Sequence, residues 1–304
     1  MLQKVCFTYN FPLVTNIKLV AFDLDGTLLD SHKRIRKDAA IAIEDIQASG
    51  VYVTLVTGRS YAATVGYARQ LNLSVPFGLF HGALVKDLNG LEIAKRAIPS
   101  GGVREAIRQA GEFECIPMIL GIQPEGGVTF SEEDRHHPAV QFVIKLEQQE
   151  NPESILHFHP RTEIRLDAYT VYIMGHKARL IEMLEAIHRQ PIQIFNAERF
   201  PVYTGGQQET GLEEYEVAML SPIGADKKFA LETIADSLGV AMKDVLAFGD
   251  WHNDIPMLQA AGSAVLMGNA PAGIVEKIQH PNLYRTGPND GSGIVDALRR
   301  FGLG

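Results

Sequence analysis

The chain has 304 residues, 46% of them hydrophobic and 21% charged, which excludes a disordered protein and suits two folded domains. Its formal net charge of -8 argues against a protein that wraps nucleic acid, yet leaves room for a small anionic ligand at one locally positive site. No apolar run approaches the ~18 residues that cross a bilayer, no secretory pattern follows Lys4, and Cys6 and Cys115 make no disulfide framework, so a reducing cytoplasm is expected.

Residues 1–14 read as a loose lead-in. IKLVAF at 17–22 is a continuous apolar run of strand length, the pattern of a strand buried on both faces of a parallel sheet. A helical period follows at 35–48 through Ile35, Ala39, Ile43 and Ile46, and Gly50 closes it. VYVTLVT at 51–57 is a second strand, 60–71 a second helix, and FGLF at 77–80 a third short strand. This alternation predicts a doubly wound, mostly parallel α/β sheet with right-handed crossovers. Between 85 and 210 the pattern changes, and AVQFVIKL, EIRLDAY and YTVYIMG alternate as strands of a sheet with one wet face. Helices are expected near 101–110 and 176–189, the second ended by Pro191, and SEEDRHHP at 131–138 reads as a polar loop. After Pro222 the first pattern resumes: a helix at 226–238, the buried strand VLAFGD at 245–250, a short helix at 254–261, AVLM at 264–267, and helices at 270–279 and 293–301. The sequence therefore predicts a core formed by 15–84 and 211–304, interrupted by an inserted α/β domain at 85–210.

Asp23 and Asp25 stand at the carboxyl end of the first strand, the end where open α/β sheets bind ligands. A carboxylate there can attack phosphorus or hold Mg²⁺ through hard oxygen, and a second one two residues on can protonate the leaving oxygen. Gly26 permits the turn, and the Thr27 hydroxyl can hold phosphoryl oxygens. A polar strand exit with an aspartate cap is the other reading of this tetrad. No Gly-x-Gly-x-x-Gly fingerprint or P-loop is found, which leaves nucleotide redox chemistry without support.

DLDGT after an apolar strand resembles the first motif of the haloacid dehalogenase superfamily of phosphotransferases. The resemblance implies Asp23 as nucleophile and Asp25 as general acid/base, with the Asp25 carbonyl helping to bind Mg²⁺. Thr57 in LVTGR matches the second motif and would hydrogen-bond the phosphoryl group. Lys227 in GADKKFAL matches the third; Lys228 departs from the usual glycine, and the register of ALETIADSLG favours Lys227. GDWHND matches the fourth, with Asp250 as metal ligand, Asp254 assisting directly or through water, and Asn253 orienting the acids. MGNAP and NDGSGI resemble signatures of the Cof-like branch, and the insertion resembles its large α/β cap.

The expected phosphate-binding set is thus Asp23, Thr27, Thr57, Gly58, Lys227 and Asn253, with metal at Asp23, Asp25, Asp250 and Asp254. Arg59 is a secondary candidate that can meet a phosphate, cap the local turn or pair with an acid. His81 replaces the Asn of the related Asn-Gly-Ala and either titrates near neutral pH or packs. The pairs His136–His137 and His157–His159 offer no convincing third zinc ligand, Cys115 suits a buried thiol, and Trp251 either shapes the site mouth or packs in the core. The expected activity is Mg²⁺-dependent hydrolysis of a small phosphorylated metabolite through an aspartyl-phosphate, with neither nucleic acid nor membrane as partner. A phosphomutase sharing the intermediate, and a non-enzymatic phosphometabolite-binding regulator, are the alternatives.

Overall fold

The computed structural model describes residues 16–122, 127–150, 154–190, 193–202 and 211–304. The lead-in at 1–14, Cys6 and Pro191 lie outside the described residues. The chain divides into two compact units, Met1–Ile93 with Asp226–Gly304, and Ala94–Ala225.

The first unit is built on a five-stranded parallel sheet, ordered Leu283–Arg285, Ser263–Leu266, Val245–Gly249, Leu19–Phe22 and Tyr52–Leu55. Leu19 to Phe22 are all fully buried, as a strand with neighbours on both edges and helices on both faces requires. Register is close: Phe22 lies opposite Phe248 and Leu55, so three strands end at one level. Helix Lys37–Ala48 buries Ala39, Ile43 and Ile46, the stripe its period predicts. Helix Tyr61–Gln70 starts at Ser60, whose hydroxyl accepts the Ala63 N–H, and helix Lys227–Ser237 starts at Asp226, which accepts from Phe229. A hairpin of Phe77–Leu79 and Leu84–Lys86 carries this unit past residue 84. The helix read at 270–279 is a single 3₁₀ turn, Val275–Lys277; Pro271 and the left-handed Gly273 stop it from extending.

The second unit has a six-stranded sheet ordered Phe195–Pro201, Tyr215–Pro222, Ala168–His176, Ile116–Gly121, Val128–Ser131 and Leu156–His159, antiparallel but for its last pair. Tyr215–Pro222 pairs on both edges and carries this unit past residue 210. Helices Ser100–Glu112 and Lys177–His188 pack Val103, Ala106, Leu180 and Met183 against Val171 and Ile173 of the sheet. A second apolar cluster gathers Met118, Phe130, Ala139, Val140, Met174 and Val217. Both faces of the sheet are therefore covered, where the alternation suggested one face open to water.

Two segments expected as strands fold otherwise. AVQFVIKL lies in the helix Pro138–Glu150, and in EIRLDAY strand pairing begins only at Ala168, after a 3₁₀ turn at Arg161–Glu163. The helix begins where a proline can occupy its first position, and the His137 Nδ1 accepts the Ala139 N–H at 3.1 Å. Within SEEDRHHP, Glu132–Asp134 forms one 3₁₀ turn. Among the described residues, no helix is long and apolar enough to cross a membrane.

Candidate active site

Asp23 and Asp250 each follow directly on a strand of the parallel sheet, at its carboxyl edge. The Asp23 N–H donates to Phe248 O at 3.1 Å, and the Thr57 N–H to Gly78 O at 3.0 Å, which fixes these strand exits against their neighbours. Lys227 reaches the same place from the first turn of its helix. Its Nζ lies 2.6 Å from both Asp23 Oδ1 and Asp254 Oδ1 and is 1% exposed. Lys228, by contrast, is half exposed and pairs with Glu232. The second oxygen of Asp254 accepts the N–H groups of Asp250 and Trp251, each at 2.9 Å. Asp254 thus ties the loop after Asp250 to the lysine.

The Asp250 carboxylate is held from the DLDGT loop: Thr27 Oγ1 donates to its Oδ1 at 3.0 Å. Asn269 Nδ2 donates to Gly26 O at 2.8 Å and lies 3.4 Å from Asp250 Oδ2. Gly26 has φ +75°, and a Cβ there would run into Asp250 Oδ2, so both backbone and space demand glycine. Asn269 in turn accepts the Asn289 N–H at 3.0 Å, and Asn289 donates to Leu29 O at 2.7 Å. MGNAP and NDGSGI therefore act as a brace under the first motif. Their resemblance marks the segments; these partners exist only once the chain has folded.

Oxygens of Asp23, Asp250 and Asp254 lie within 4.8 Å of one another and are buried, which makes them a candidate metal-binding group, the only one among the described residues. Burial, opposed by Lys227 and reinforced by Asp254 and Asp250, holds the Asp23 pKa well above the carboxylate range. Burial and the charge of Asp254 push Asp250 up to about 7. Burial alone would lower Lys227, but Asp23 and Asp254 hold it above its ordinary value, fully charged. Three buried carboxylates thus share one buried cation. That surplus of hard, negatively charged oxygen fits a divalent metal ion.

Asp25 stands apart, with a side chain 40% exposed. Arg59 clasps it with Nε on Oδ2 and Nη2 on Oδ1, both at 2.6 Å, and Lys33 Nζ donates to Oδ1 at 2.7 Å. Burial, which alone would raise its pKa, is outweighed by Arg59 and then Lys33, and Asp25 sits at about 2. The carboxylate of Asp25 is not among the three that cluster. Of the readings of Arg59, the pairing with an acid is the one seen.

The Thr57 hydroxyl accepts the Arg59 N–H at 3.2 Å. His81 occupies a loop with left-handed backbone at Phe80, His81 and Gly82, clasped by the His81 N–H on Thr57 O and the Phe80 N–H on Arg59 O. Its ring lies over Gly58, where a Cβ would overlap it. Burial and the charge of Lys227 push the imidazole down to about 3, so it is neutral at pH 7, not a group titrating there. Asn253 Nδ2 meets His81 Nδ1 at 2.9 Å, while Asn253 Oδ1 is buried with no partner.

Trp251 is 43% exposed, with its ring edge-on to His252, and is not a core residue. The rings of His157 and His159 stack at 6.4 Å, and among the described residues no third ligand joins them. His137 caps a helix, and Cys115 is a buried free thiol pushed up to about 11 by burial. Lys33 and Tyr67 were not singled out by sequence: each reads as an ordinary surface residue, and only the fold brings Lys33 to Asp25.

A putative phosphatase of Streptococcus pyogenes is 28% identical over 295 residues, covering 95% of this chain and 99% of its own. A 5-amino-6-(5-phospho-D-ribitylamino)uracil phosphatase of Bacillus subtilis is 26% identical, covering 95% and 97%. A phosphatase of the haloalkanoate enzyme superfamily from Bacteroides thetaiotaomicron superposes with a TM-score of 0.75 at 24% identity, over 97% of this chain and 99% of that one. The family model for haloacid dehalogenase-like hydrolases matches residues 20–298. With that match over nearly the whole chain, and acids at the ends of a parallel sheet, this protein belongs to the haloacid dehalogenase-like hydrolases, among the phosphatases of that superfamily.

Proposed function

We propose that the enzyme hydrolyses a small phosphate monoester, a sugar phosphate or related metabolite, in the presence of Mg²⁺ and through a phosphoryl group carried on Asp23. The observation that carries this reading is the buried placement of Lys227 between Asp23 and Asp254, with Asp250 completing the acidic group. The named activities of relatives support the phosphate-monoester class: one acts on a phosphoribityl compound, and a structural neighbour is a sugar phosphatase.

Mg²⁺ held by Asp23, Asp250 and Asp254, with the Asp25 carbonyl, would supply the positive charge that lets an anionic nucleophile approach an anionic ester. Asp23 attacks phosphorus and forms a P–O bond as the ester P–O bond breaks. Asp25, which Arg59 and Lys33 hold at about 2 in the resting site, takes a proton from solvent for this step and passes it to the leaving oxygen, and the alcohol departs. Water then attacks the phosphoryl group, its proton passing through Asp25 to solvent as the bond to Asp23 breaks, so that both carboxyl groups return to their starting state. Lys227 holds the nucleophile and offsets charge on the transferring group. Thr57, Thr27, Gly58 and Asn253 line the phosphoryl position, and the unpartnered Asn253 Oδ1 supports a polar partner arriving there. The second unit selects the substrate. The buried free thiol of Cys115 suits a reducing cytoplasm.

A panel of sugar phosphates, nucleoside monophosphates and cofactor phosphates, assayed as kcat/KM with Mg²⁺ and with EDTA, tests the proposal. Release of inorganic phosphate that EDTA abolishes and Mg²⁺ restores is expected. Transfer of phosphate to a second sugar hydroxyl in place of water, or binding without turnover across the panel, overturns it.

A further inference from the structure

Asp25 carries more donors than its exposure requires. Oδ1 accepts from both Lys33 Nζ and Arg59 Nη2, whereas Oδ2 accepts only from Arg59 Nε. A carboxylate oxygen has two lone-pair directions, so Oδ1 is filled and Oδ2 keeps one free. The cations are themselves held. Lys33 sits at φ +58°, a left-handed conformation unfavourable for a residue with a Cβ, inside a turn in which Asp30 accepts the His32 and Arg34 N–H groups. Tyr67, on helix Tyr61–Gln70, touches both: its hydroxyl donates to Lys33 O at 2.8 Å, and the Arg59 guanidinium lies 5.5 Å from its ring centroid.

We infer that Lys33 and Tyr67 are positioning residues for Asp25, which with Arg59 fill Oδ1 and leave Oδ2 as the oxygen that exchanges a proton with the leaving group. The inference rests on the phosphatase reading and deepens it. A carboxylate this open to solvent has several rotamers available, and proton transfer needs one of them. The left-handed lysine and the shared tyrosine supply that selection.

Leaving groups differ in how far they need the proton. An alkoxide departs only if protonated, whereas p-nitrophenolate departs unaided, and kcat/KM reports the steps up to departure. K33M is expected to lower kcat/KM for an alkyl phosphate about 30-fold but for p-nitrophenyl phosphate less than about 3-fold, within the range that general acid catalysis supplies. K33R should restore the alkyl ester to within about 3-fold, since a cation still reaches Oδ1. Y67F keeps the ring under Arg59 and loses only the hydroxyl, so a smaller split of about 3- to 5-fold is expected. D25N should show the same split at greater depth. Thermal melts of each variant accompany the kinetics, because a structural defect lowers both esters alike. Equal losses for the two esters in K33M, or none, overturn the inference and leave the phosphatase reading standing. Wild-type enzyme that turns over neither ester with Mg²⁺ overturns both.

Discussion

The surface ion pairs of the second unit and the buried acids of the first handle charge in opposite ways. In the second, Arg108 is half exposed and binds Glu105 at 2.7 Å and also Glu112, and Arg161 binds Asp134 at 2.6 Å. The Arg108 pairs lie at the surface, whereas the Asp134 side chain is mostly buried, and the Arg108 hydrogen bonds hold Glu105 down at about 2. In the first, Asp23, Asp250 and Asp254 are buried around a single lysine, and burial drives Asp23 and Asp250 upward. Surface pairs settle their own charges, whereas the buried group keeps an excess of negative charge that a bound cation relieves. That excess fits a divalent metal ion and carries a cost in stability.

The sharpest break between the two regions comes at Asp23. Asp23→Asn keeps the shape and a Lys227 partner, yet removes the nucleophile, so turnover is expected to fall by more than about 1000-fold. Acid-quenched labelling should trap phosphoenzyme in the wild type and none in the variant, while circular dichroism is unchanged. Normal turnover in Asp23→Asn would remove that residue from the chemistry. Next in size is Lys227→Met, which strands two buried carboxylates without a counter-charge. A loss of roughly 3–5 kcal/mol is expected in denaturant titrations at pH 7 in EDTA. A loss below about 1 kcal/mol would mean that water already reaches these acids.

Asp250 tests the excess from the other side. Asp250→Asn removes one of the crowded charges, so metal-free protein should gain about 1 kcal/mol while the rise in melting temperature on adding Mg²⁺ disappears. An undiminished Mg²⁺ response would exclude Asp250 as a ligand. The pH dependence has a definite sign. Asp250 binds its proton at about 7 in the fold, above its ordinary 3.8. Metal-free protein should therefore gain stability as pH falls from above 7 toward 4, by at most ~1.4 kcal/mol per pH unit from this group. With Mg²⁺ present the slope reverses, because protons compete for the same oxygens. Flat melting temperatures across this window in EDTA would contradict the crowding.

Legibility follows the same division. The acids of the parallel sheet could be read because each stands beside an apolar run, so strand, exit and carboxylate are adjacent in sequence. Lys227 needed only helix register. Lys33, Tyr67, Asn269 and Asn289 act through turns and partners distant in sequence, and each alone reads as a solvated side chain. In the second unit, Val140, Phe142, Ile144 and Leu146 alternate as a strand would, while Ala139, Val140, Val143 and Leu146 fall on one helical face. Pro138 at the first helical position was the deciding signal. The helix read at 270–279 lost to Gly273, whose left-handed backbone breaks it.

The smallest expected effect completes the contrast. Arg108 makes two ion pairs on the helix Ser100–Glu112, more than any single acid of the buried group makes with a cation. Counting ion pairs would rank it level with Lys227, which also makes two. Exposure separates them, since Arg108 and Glu112 are each at least half exposed and water screens them. Arg108→Ala is accordingly expected to change stability by no more than about 0.5 kcal/mol, and added salt to erase the difference. The comparison with Lys227→Met under identical buffer then separates number of partners from burial. Equal losses in the two variants would show that the buried group carries no special electrostatic load.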